Sequence, residues 1–210
     1  SPHAEELAEF GLVTDSEASV TSTLDDANKL DLVVACGGMS VGDYDVLGKV
    51  VRASTKTLFY KVAVKPGKPI FFGQRTHGLL IGLPGNPVSV FVGYYLFVLP
   101  VLKRLKGDRS PFPWARDHIL ANAMDKGGSR LEFLRGHVDR FGRVSIFSRQ
   151  GSAAISGLNS CNCLVVRPAH AEAKKIGDQV SVYRLDGCWQ GCSFEDFKAD
   201  VWPKWNTSAI

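Results

Sequence analysis

Three segments rich in glycine and proline constrain the fold of this chain more than any other feature. They are residues 37–45 (GGMSVGDYD), residues 65–69 (KPGKP) and residues 82–89 (GLPGNPVS). The first and third end an apolar run and lead toward a predicted helix, whereas the second ends an alternating strand pattern. Open α/β sheets place their ligand sites at such strand ends. The three segments therefore predict an α/β domain with a loop-built ligand site.

The pattern up to residue 110 alternates between strands and helices. A short end of a helix is predicted before Gly11, and further elements at 15–30, 31–36, 46–52, 58–65, 70–72, 79–81 and 86–106. The continuous apolar run at 31–36 predicts a strand buried on both faces, with Cys36 in the core. Period-two alternation at 58–65 puts Lys61 and Lys65 on one face of a strand. Asn86 is suited to cap the last helix, with Pro87 as its first residue.

The pattern changes after residues 107–114 (GDRSPFPW), which have the composition of a linker. Beyond them, short strands are predicted at 118–124, 131–138, 144–147, 163–167 and 179–185. This spacing predicts a small, barrel-like all-β module. The predicted domains are therefore an α/β domain at 1–110, a β-barrel domain at 115–186 and a tail at 187–210.

Charge is distributed unevenly along the chain. Residues 1–45 hold ten Asp/Glu and one Lys/Arg, while residues 46–107 hold ten Lys/Arg and no Asp/Glu. One interpretation is a solvated basic face beside an acidic one. The other is an anion site in the basic part, with Asp43 and Asp45 brought close to hold a cation. Without a Lys/Arg-rich run or a basic and aromatic repeat, nucleic acid is not a predicted partner.

Five cysteines and no signal-peptide pattern favour a reducing cytoplasm. Cys161, Cys163, Cys188 and Cys192 could form a four-thiolate zinc site, but their spacing does not match the usual knuckle.

Residues 88–102 are almost wholly apolar, yet they fall short of the ~20 residues that span a bilayer. Gly93 and Pro100 also interrupt them. The segment predicts no membrane span, but a helix buried in the core or in a subunit interface.

The three loops carry the groups that an anionic ligand needs. The glycines of the first loop let the backbone approach a ligand closely, and Ser40 adds a hydroxyl. Asp43 and Asp45 are suited either to cap the next helix or to coordinate Mg²⁺. Lys65 and Lys68 flank a Pro-Gly turn, in a stretch without acids, which favours an anion.

In their order and spacing, these loops resemble the MoeA family of molybdopterin molybdenumtransferases, which includes the E domain of gephyrin and a plant counterpart. The resemblance extends over about residues 4–186. Three later segments also resemble the family pattern: residues 130–135 (RLEFLR), residues 151–156 (GSAAIS) and residues 177–180 (GDQV). Met39 stands where the family usually has valine.

The resemblance implies a fold and an activity. The fold would be a three-layer molybdopterin-binding α/β domain, similar to molybdopterin adenylyltransferases and here incomplete at its N-terminal side, followed by a small β-barrel. The activity would be insertion of molybdate into adenylated molybdopterin with release of AMP, by a homodimer. Family members carry two further domains before this region, so the chain is expected to be a fragment with an incomplete active site. The alternatives are a molybdopterin adenylyltransferase, which lacks the β-module, and a non-catalytic scaffold module like that of gephyrin.

The resemblance also implies roles for individual residues. Asp43 and Asp45 would hold Mg²⁺, and Lys65 and Lys68 would bind phosphate or molybdate. Arg130 and Ser156 would hold molybdate. The pterin phosphate and nucleotide would be bound by the remaining loop residues, namely Gly37, Gly38, Ser40, Gly42, Pro66, Gly67, Gly82, Pro84, Gly85, Asn86 and Ser89.

Overall fold

A computed structural model describes residues 6–38, 46–151 and 155–185, and the backbone of residues 191–192. The chain divides into two compact units. Unit 1 comprises Ser1–Val62 and Gly67–Asp108, and unit 2 comprises Ala63–Pro66 and Arg109–Ile210. The chain thus enters unit 2 at Ala63, returns to unit 1 within the second loop, and finally leaves unit 1 after Asp108.

The elements are named in chain order. Those up to residue 105 are α1 (Glu17–Asp26), β1 (Leu32–Cys36), α2 (Val46–Ser54), β2 (Lys56–Tyr60), β3 (Val64–Lys65), β4 (Phe71–Gln74), β5 (Leu79–Leu83), α3 (Pro87–Gly93), a π-helical turn (Tyr94–Val98) and α4 (Leu99–Leu105). Those that follow are β6 (Phe112–Pro113), β7 (Arg116–Leu120), β8 (Leu131–Val138), β9 (Arg143–Ile146), a 3₁₀ turn (Ile155–Gly157), β10 (Cys163–Arg167), β11 (Gln179–Arg184) and β12 (Gly191–Cys192).

Unit 1 is a three-layer α/β structure. Its sheet has the order β1-β5-β4-β2, with β1 parallel to β5 and the other pairs antiparallel. One face packs against α1 and α2 through a cluster around Val51, Phe71 and Leu80. The other packs against the helical segment that begins at Pro87, through a cluster that includes Ile81 and Val98. Apolar side chains on both faces of the central strands therefore hold the three layers together.

The strand β1 is less buried than its apolar sequence predicts. Val34 is 40% exposed and Cys36 is exposed, so the prediction of a strand buried on both faces, with Cys36 in the core, is wrong. Leu32, Val34 and Cys36 lie on one face of β1. The physical reason for the exposure is that the helical layer after Pro87 packs on Leu32 but does not extend to Val34 and Cys36. β1 is also an edge strand of the described sheet.

The segment before Gly11 is not helical where the structure describes it. Residues 6–10 have no regular structure, and Leu7 is 74% exposed, so the predicted helix end is wrong there. A short helix without a packed apolar face is unstable in water. The next helix, α1, lies within its predicted range and begins after Ser16, whose hydroxyl accepts from the backbone N–H of Ser19 at 3.2 Å.

The strand predicted at 58–65 is interrupted. β2 ends at Tyr60, and Lys61 adopts a left-handed backbone with φ of 66°. Lys61 still donates its backbone N–H to Ile70, but Val64 and Lys65 pair with a different sheet, in unit 2. Local alternation cannot reveal such an exchange of partners, because the pattern is the same for one strand or two.

Five strands of unit 2 close into a barrel. β8 pairs with β9 and β10, β10 with β11, β11 with β7, and β7 with β9. The β7–β9 pair is parallel and the others are antiparallel. Fully buried side chains of Leu120, Val144, Val165 and Val182 contribute to the core. The predicted fold class, an α/β domain followed by a β-barrel, is confirmed.

β8 is the longest strand of the barrel and has partners along both edges. On one edge it pairs with β10 from Glu132 to Gly136. On the other it pairs with β9 near its end and, in parallel, with β3 at Leu131 and Glu132. Glu132 therefore has a strand neighbour on each side, namely Arg167 of β10 and Lys65 of β3.

Candidate functional site

The first and third loops follow the carboxyl ends of two adjacent parallel strands. Gly37 follows β1, and its N–H donates to the carbonyl of Leu83 at the end of β5 with a length of 3.0 Å. The two loops approach closely, since a Cβ placed on Gly85 would lie 3.4 Å from the Cα of Gly37. This is the position at which α/β sheets bind ligands. The structure thus brings together the described parts of these two loops.

Gly38 cannot be replaced by another residue without strain. Its φ is +60°, and a Cβ at this position would lie 2.9 Å from the Cβ of Leu47. Both the left-handed backbone and the close approach of α2 require glycine here. Of the predicted first-loop residues, Ser40, Gly42, Asp43 and Asp45 lie outside the described residues, so their predicted roles stay predictions.

The third loop ends in a capped helix. The Asn86 side-chain oxygen accepts from the backbone N–H groups of Val88 at 3.0 Å and Ser89 at 3.3 Å, and Pro87 is the first helical residue. The predicted cap is therefore confirmed. Ser89 is buried in the first turn of this helix, whereas Gly85 is exposed at the tip of the loop.

The two lysines of the second loop belong to different units. Lys68 lies in unit 1, where its carbonyl accepts from the N–H groups of Val62 and Ile70, each at 3.0 Å. Lys65 lies in unit 2, where its Nζ contacts Glu132 Oε1 at 2.9 Å. The Lys65 side chain is 58% exposed. A partly exposed ammonium held by one carboxylate is suited to bind a further anion.

Glu132 is a buried carboxylate between two cations. Its second oxygen accepts from Nε of Arg167 at 2.7 Å, and Glu132 is only 2% exposed. Burial raises the pKa of Glu132, but hydrogen bonds from Lys65 and Arg167, together with their charges, outweigh it and hold the pKa below its usual value. Sequence reasoning missed the roles of Glu132 and Arg167. The signal was an acidic residue between the apolar Leu131 and Phe133, because such a residue needs a partner when buried.

Two arginines belong to the same part of the chain, Arg130 directly before β8 and Arg135 within it. Nη1 of Arg130 donates to the carbonyl of Val64 at 3.2 Å, beside Lys65 in the chain. Arg135 is 1% exposed, and its Nη2 donates to the carbonyls of Arg149 at 3.0 Å and Gly151 at 3.3 Å. Burial lowers the pKa of Arg135. Arg135 therefore anchors the start of the 151–156 segment.

Gln150 strengthens that anchor. Its side-chain oxygen accepts from the N–H of Arg135 at 2.9 Å, and its Nε2 donates to the Arg135 carbonyl at 2.8 Å. Ser156, further along, is exposed in the 3₁₀ turn Ile155–Gly157. The role predicted for Ser156 in molybdate binding stays a prediction.

No metal centre is evident in the described part of the chain, since no group of three or more His, Cys, Asp or Glu side chains there is arranged to hold an ion. Cys161 donates its thiol to the carbonyl of Cys163 at 3.2 Å, and burial raises the pKa of Cys161. The side chains of Cys188 and Cys192 lie outside the described residues, so a four-thiolate zinc site stays untested.

The helical segment Pro87–Leu105 has 19 residues and, by length and composition alone, could cross a membrane. This is weak evidence, because the core helix of a globular domain has the same properties. In unit 1 the segment contributes Val98 to the cluster that packs on the sheet.

Comparison with known proteins identifies the family. The sequence profile described as "Probable molybdopterin binding domain" matches residues 3–104, and that described as "MoeA C-terminal region (domain IV)" matches residues 118–185. The chain belongs to the MoeA family. The resemblance expected from the three loops is thus confirmed, and the two matches fall on the α/β unit and the barrel.

Curated relatives carry the name molybdopterin molybdenumtransferase. The protein from Haemophilus influenzae is 33% identical over 84% of this chain and 45% of its own length. That from Nostoc is 30% identical over 84% of this chain and 43% of its own length. The chain therefore spans less than half the length of these curated relatives.

Solved structures support the fold. A MoeA protein from Pyrococcus horikoshii has a TM-score of 0.70 at 24% identity, covering 84% of this chain and 43% of its own. A molybdenum cofactor biosynthesis protein from Pyrococcus furiosus has a TM-score of 0.64 at 27% identity, covering 83% of this chain and 56% of its own.

Proposed function

We propose that this chain acts in molybdenum cofactor biosynthesis, as part of a molybdopterin molybdenumtransferase that inserts molybdate into adenylated molybdopterin and releases AMP. The observation that carries the proposal is the similarity to the Haemophilus influenzae molybdopterin molybdenumtransferase over 84% of this chain. Because the chain corresponds to 45% of that relative, we infer that it supplies only part of a complete active site.

In unit 1, the loops after β1 and β5 are suited to hold the phosphate groups of the adenylated pterin. Gly37 and Gly38 have left-handed backbones, and Gly85 lies beside Gly37. Such loops present backbone N–H groups without obstruction by a Cβ. The capped N-terminus of the helix after Asn86 faces the same end of the sheet and favours negative charge.

We propose that Asp43 and Asp45 hold Mg²⁺. Carboxylate oxygens are the ligands that this ion prefers, and it commonly bridges to phosphate. When bound, Mg²⁺ would offset the charge that develops on the phosphate as AMP leaves. The residues of the chain would orient the nucleotide and keep its phosphate next to donors, with Lys68 as a further cation of unit 1.

In unit 2, a surplus of positive charge favours an oxyanion. Lys65 and Arg167 contact the carboxylate of Glu132, and Arg130 donates to the carbonyl of Val64, the neighbour of Lys65 in β3. We propose that Lys65 and Arg130, with Ser156, bind molybdate before its transfer. Preorganised cations of this kind stabilise developing negative charge, and removing one typically reduces the rate by ~10²–10³-fold in other enzymes.

Two further features of the proposal concern the setting of the enzyme. A homodimer is supported by half-buried aromatic residues of the helical segment, such as Phe91 and Tyr95, because aromatic residues are enriched in interfaces. A cytoplasmic location is supported by the free thiols of Cys36, Cys161 and Cys163.

The proposal is tested by complementation of the longer relative. The C-terminal part of the Haemophilus influenzae enzyme is replaced with this chain, and molybdate-dependent AMP release from adenylated molybdopterin is measured. We expect turnover by the chimera and little by the 210-residue chain alone. A chimera that binds adenylated molybdopterin but does not turn over would contradict the proposal and favour a scaffold role.

A further inference from the structure

The barrel sheet places one buried carboxylate between two cations. Glu132 on β8 stands opposite Lys65 on β3 and opposite Arg167 on β10 in the backbone register. Directly opposed residues of neighbouring strands have Cβ atoms about 4.5–5.5 Å apart. The contacts among these three side chains therefore follow from strand pairing.

Each oxygen of Glu132 has its own cation. Oε1 contacts Lys65 Nζ at 2.9 Å, while Oε2 contacts Arg167 through Nε at 2.7 Å and through Nη2 at 2.5 Å. Arg167 also donates Nη1 to the carbonyl of Asp125 at 3.0 Å, which fixes its guanidinium. Arg167, through two nitrogen atoms, already neutralises the charge of the buried carboxylate. Glu132 therefore does not need Lys65 for charge balance.

Lys65 differs from Arg167 in exposure. Its side chain is 58% exposed, against 13% for Arg167. An ammonium has three donors, and the contact with Glu132 uses one of them. Glu132 can only accept, so it orients Lys65 without competing for an anion. The cluster of Lys65, Arg130, Arg167 and Glu132 keeps a surplus of positive charge.

We propose that Glu132 is a positioning residue, which fixes the Lys65 ammonium at the margin of the barrel unit so that its exposed donors meet a tetrahedral oxyanion substrate. This inference rests on the proposed function, in which that oxyanion is molybdate. Arg167 neutralises the charge of the Glu132 carboxylate. The more strongly Arg167 binds this carboxylate, the more weakly the carboxylate holds Lys65.

The position of Lys65 can be measured without enzyme activity. Acylation of Lys65 and Lys68 by acetic anhydride is followed by peptide mass spectrometry on the full 210-residue chain. Acylation requires the amine nitrogen to reach the reagent, and the contact of Lys65 Nζ with Glu132 Oε1 at 2.9 Å restrains that nitrogen. Glu132→Gln should therefore raise the rate at Lys65 about two- to fivefold, with Lys68 as internal reference. The matched control Glu172→Gln changes an exposed glutamate of unit 2 and should leave both rates unchanged.

A second variant predicts a change of opposite sign. Arg167→Gln leaves Glu132 with Lys65 as its remaining cation, so Lys65 should become slower to acylate than in the parent chain. Thermal melting of each variant shows whether it is folded. Were Glu132→Gln to fail to fold, a faster or unchanged rate at Lys65 in folded Arg167→Gln would overturn the proposal.

Protection by sodium molybdate then separates the inference from the proposed function. We expect molybdate to slow acylation of Lys65 in the parent chain. The molybdate concentration that halves the acylation rate of Lys65 should be about two- to fivefold higher in Glu132→Gln. The positioning role would be overturned if Glu132→Gln and the parent chain needed the same molybdate concentration for half-protection. It would also be overturned if Lys65 were acylated at the same rate in both. If molybdate does not protect the parent chain while Glu132→Gln still accelerates Lys65, the ion pair stands but molybdate binding at Lys65, and with it the positioning role, is refuted.

Discussion

Replacement of Gly38 tests the more confined of the two glycines that the structure describes in the first loop. A Cβ there would lie 2.9 Å from Leu47 Cβ and 3.2 Å from Leu47 Cδ2, and φ is +60°. A left-handed backbone costs a non-glycine residue about 1 kcal/mol. Overpacking of a filled contact adds roughly 1–2 kcal/mol, because α2 has to move. We expect Gly38→Ala to lower the free energy of unfolding of unit 1 by about 2–3 kcal/mol.

Gly107→Ala is the matched control. Gly107 lies in the same unit with φ of +83° and nothing within 4 Å of an added Cβ, so its replacement introduces only backbone strain. We expect a loss of about 1 kcal/mol for this variant. Urea unfolding followed by circular dichroism gives both values, and the m-values show whether the same transition is compared. Equal losses for the two variants would refute the reasoning, because they would mean that the Leu47 contact relaxes without cost.

Three further changes test other parts of the molecule. Asn86→Ala should destabilise unit 1 by ~1 kcal/mol because two N–H groups lose their acceptor, whereas Asn86→Ser should keep most of the cap; a thermal melt of both variants checks this. The pKa of Glu132 is held below its usual value in the folded chain, so its contribution to stability is present above about pH 4.5 and is lost as the pH falls through the lowered pKa. Unfolding measured between pH 6 and pH 3 should therefore show a steeper loss for the parent chain than for Glu132→Gln, and parallel curves would contradict the assignment. Asp45→Ala in the chimeric enzyme should abolish magnesium-dependent AMP release without changing the far-ultraviolet circular dichroism; full activity would mean that Asp45 serves only as a helix cap.

Several elements were predictable because their determinants are local. Asn86 and Pro87 start a helix through their own side chains, and the helix begins where they stand. The strand predicted at 131–138 matches β8 in both bounds. The polar, glycine-containing segments on either side of it, at 126–130 and 139–142, mark these bounds in the sequence.

Other predictions failed where distant contacts decide. The alternation at 58–65 continues through Lys61, yet the chain changes sheets there. Cys36 follows an apolar run, but whether it is buried depends on how far the helical layer after Pro87 extends across the sheet. Exposure is a property of the assembled layers, which local patterns do not contain.

The order of three glycine and proline loops and a β-rich segment determined the family and the fold class, because such loops tolerate few other residues at positions with left-handed backbone or close approach. Only the tertiary structure decided which charges meet. Lys65, Glu132 and Arg167 are separated by 67 and 35 positions in the sequence, and strand pairing across the barrel brings them into contact. Lys65, which the sequence predicts as an anion-binding residue on a turn, is therefore also held by a buried carboxylate, since register, and not sequence distance, determines the neighbours of a residue in a sheet.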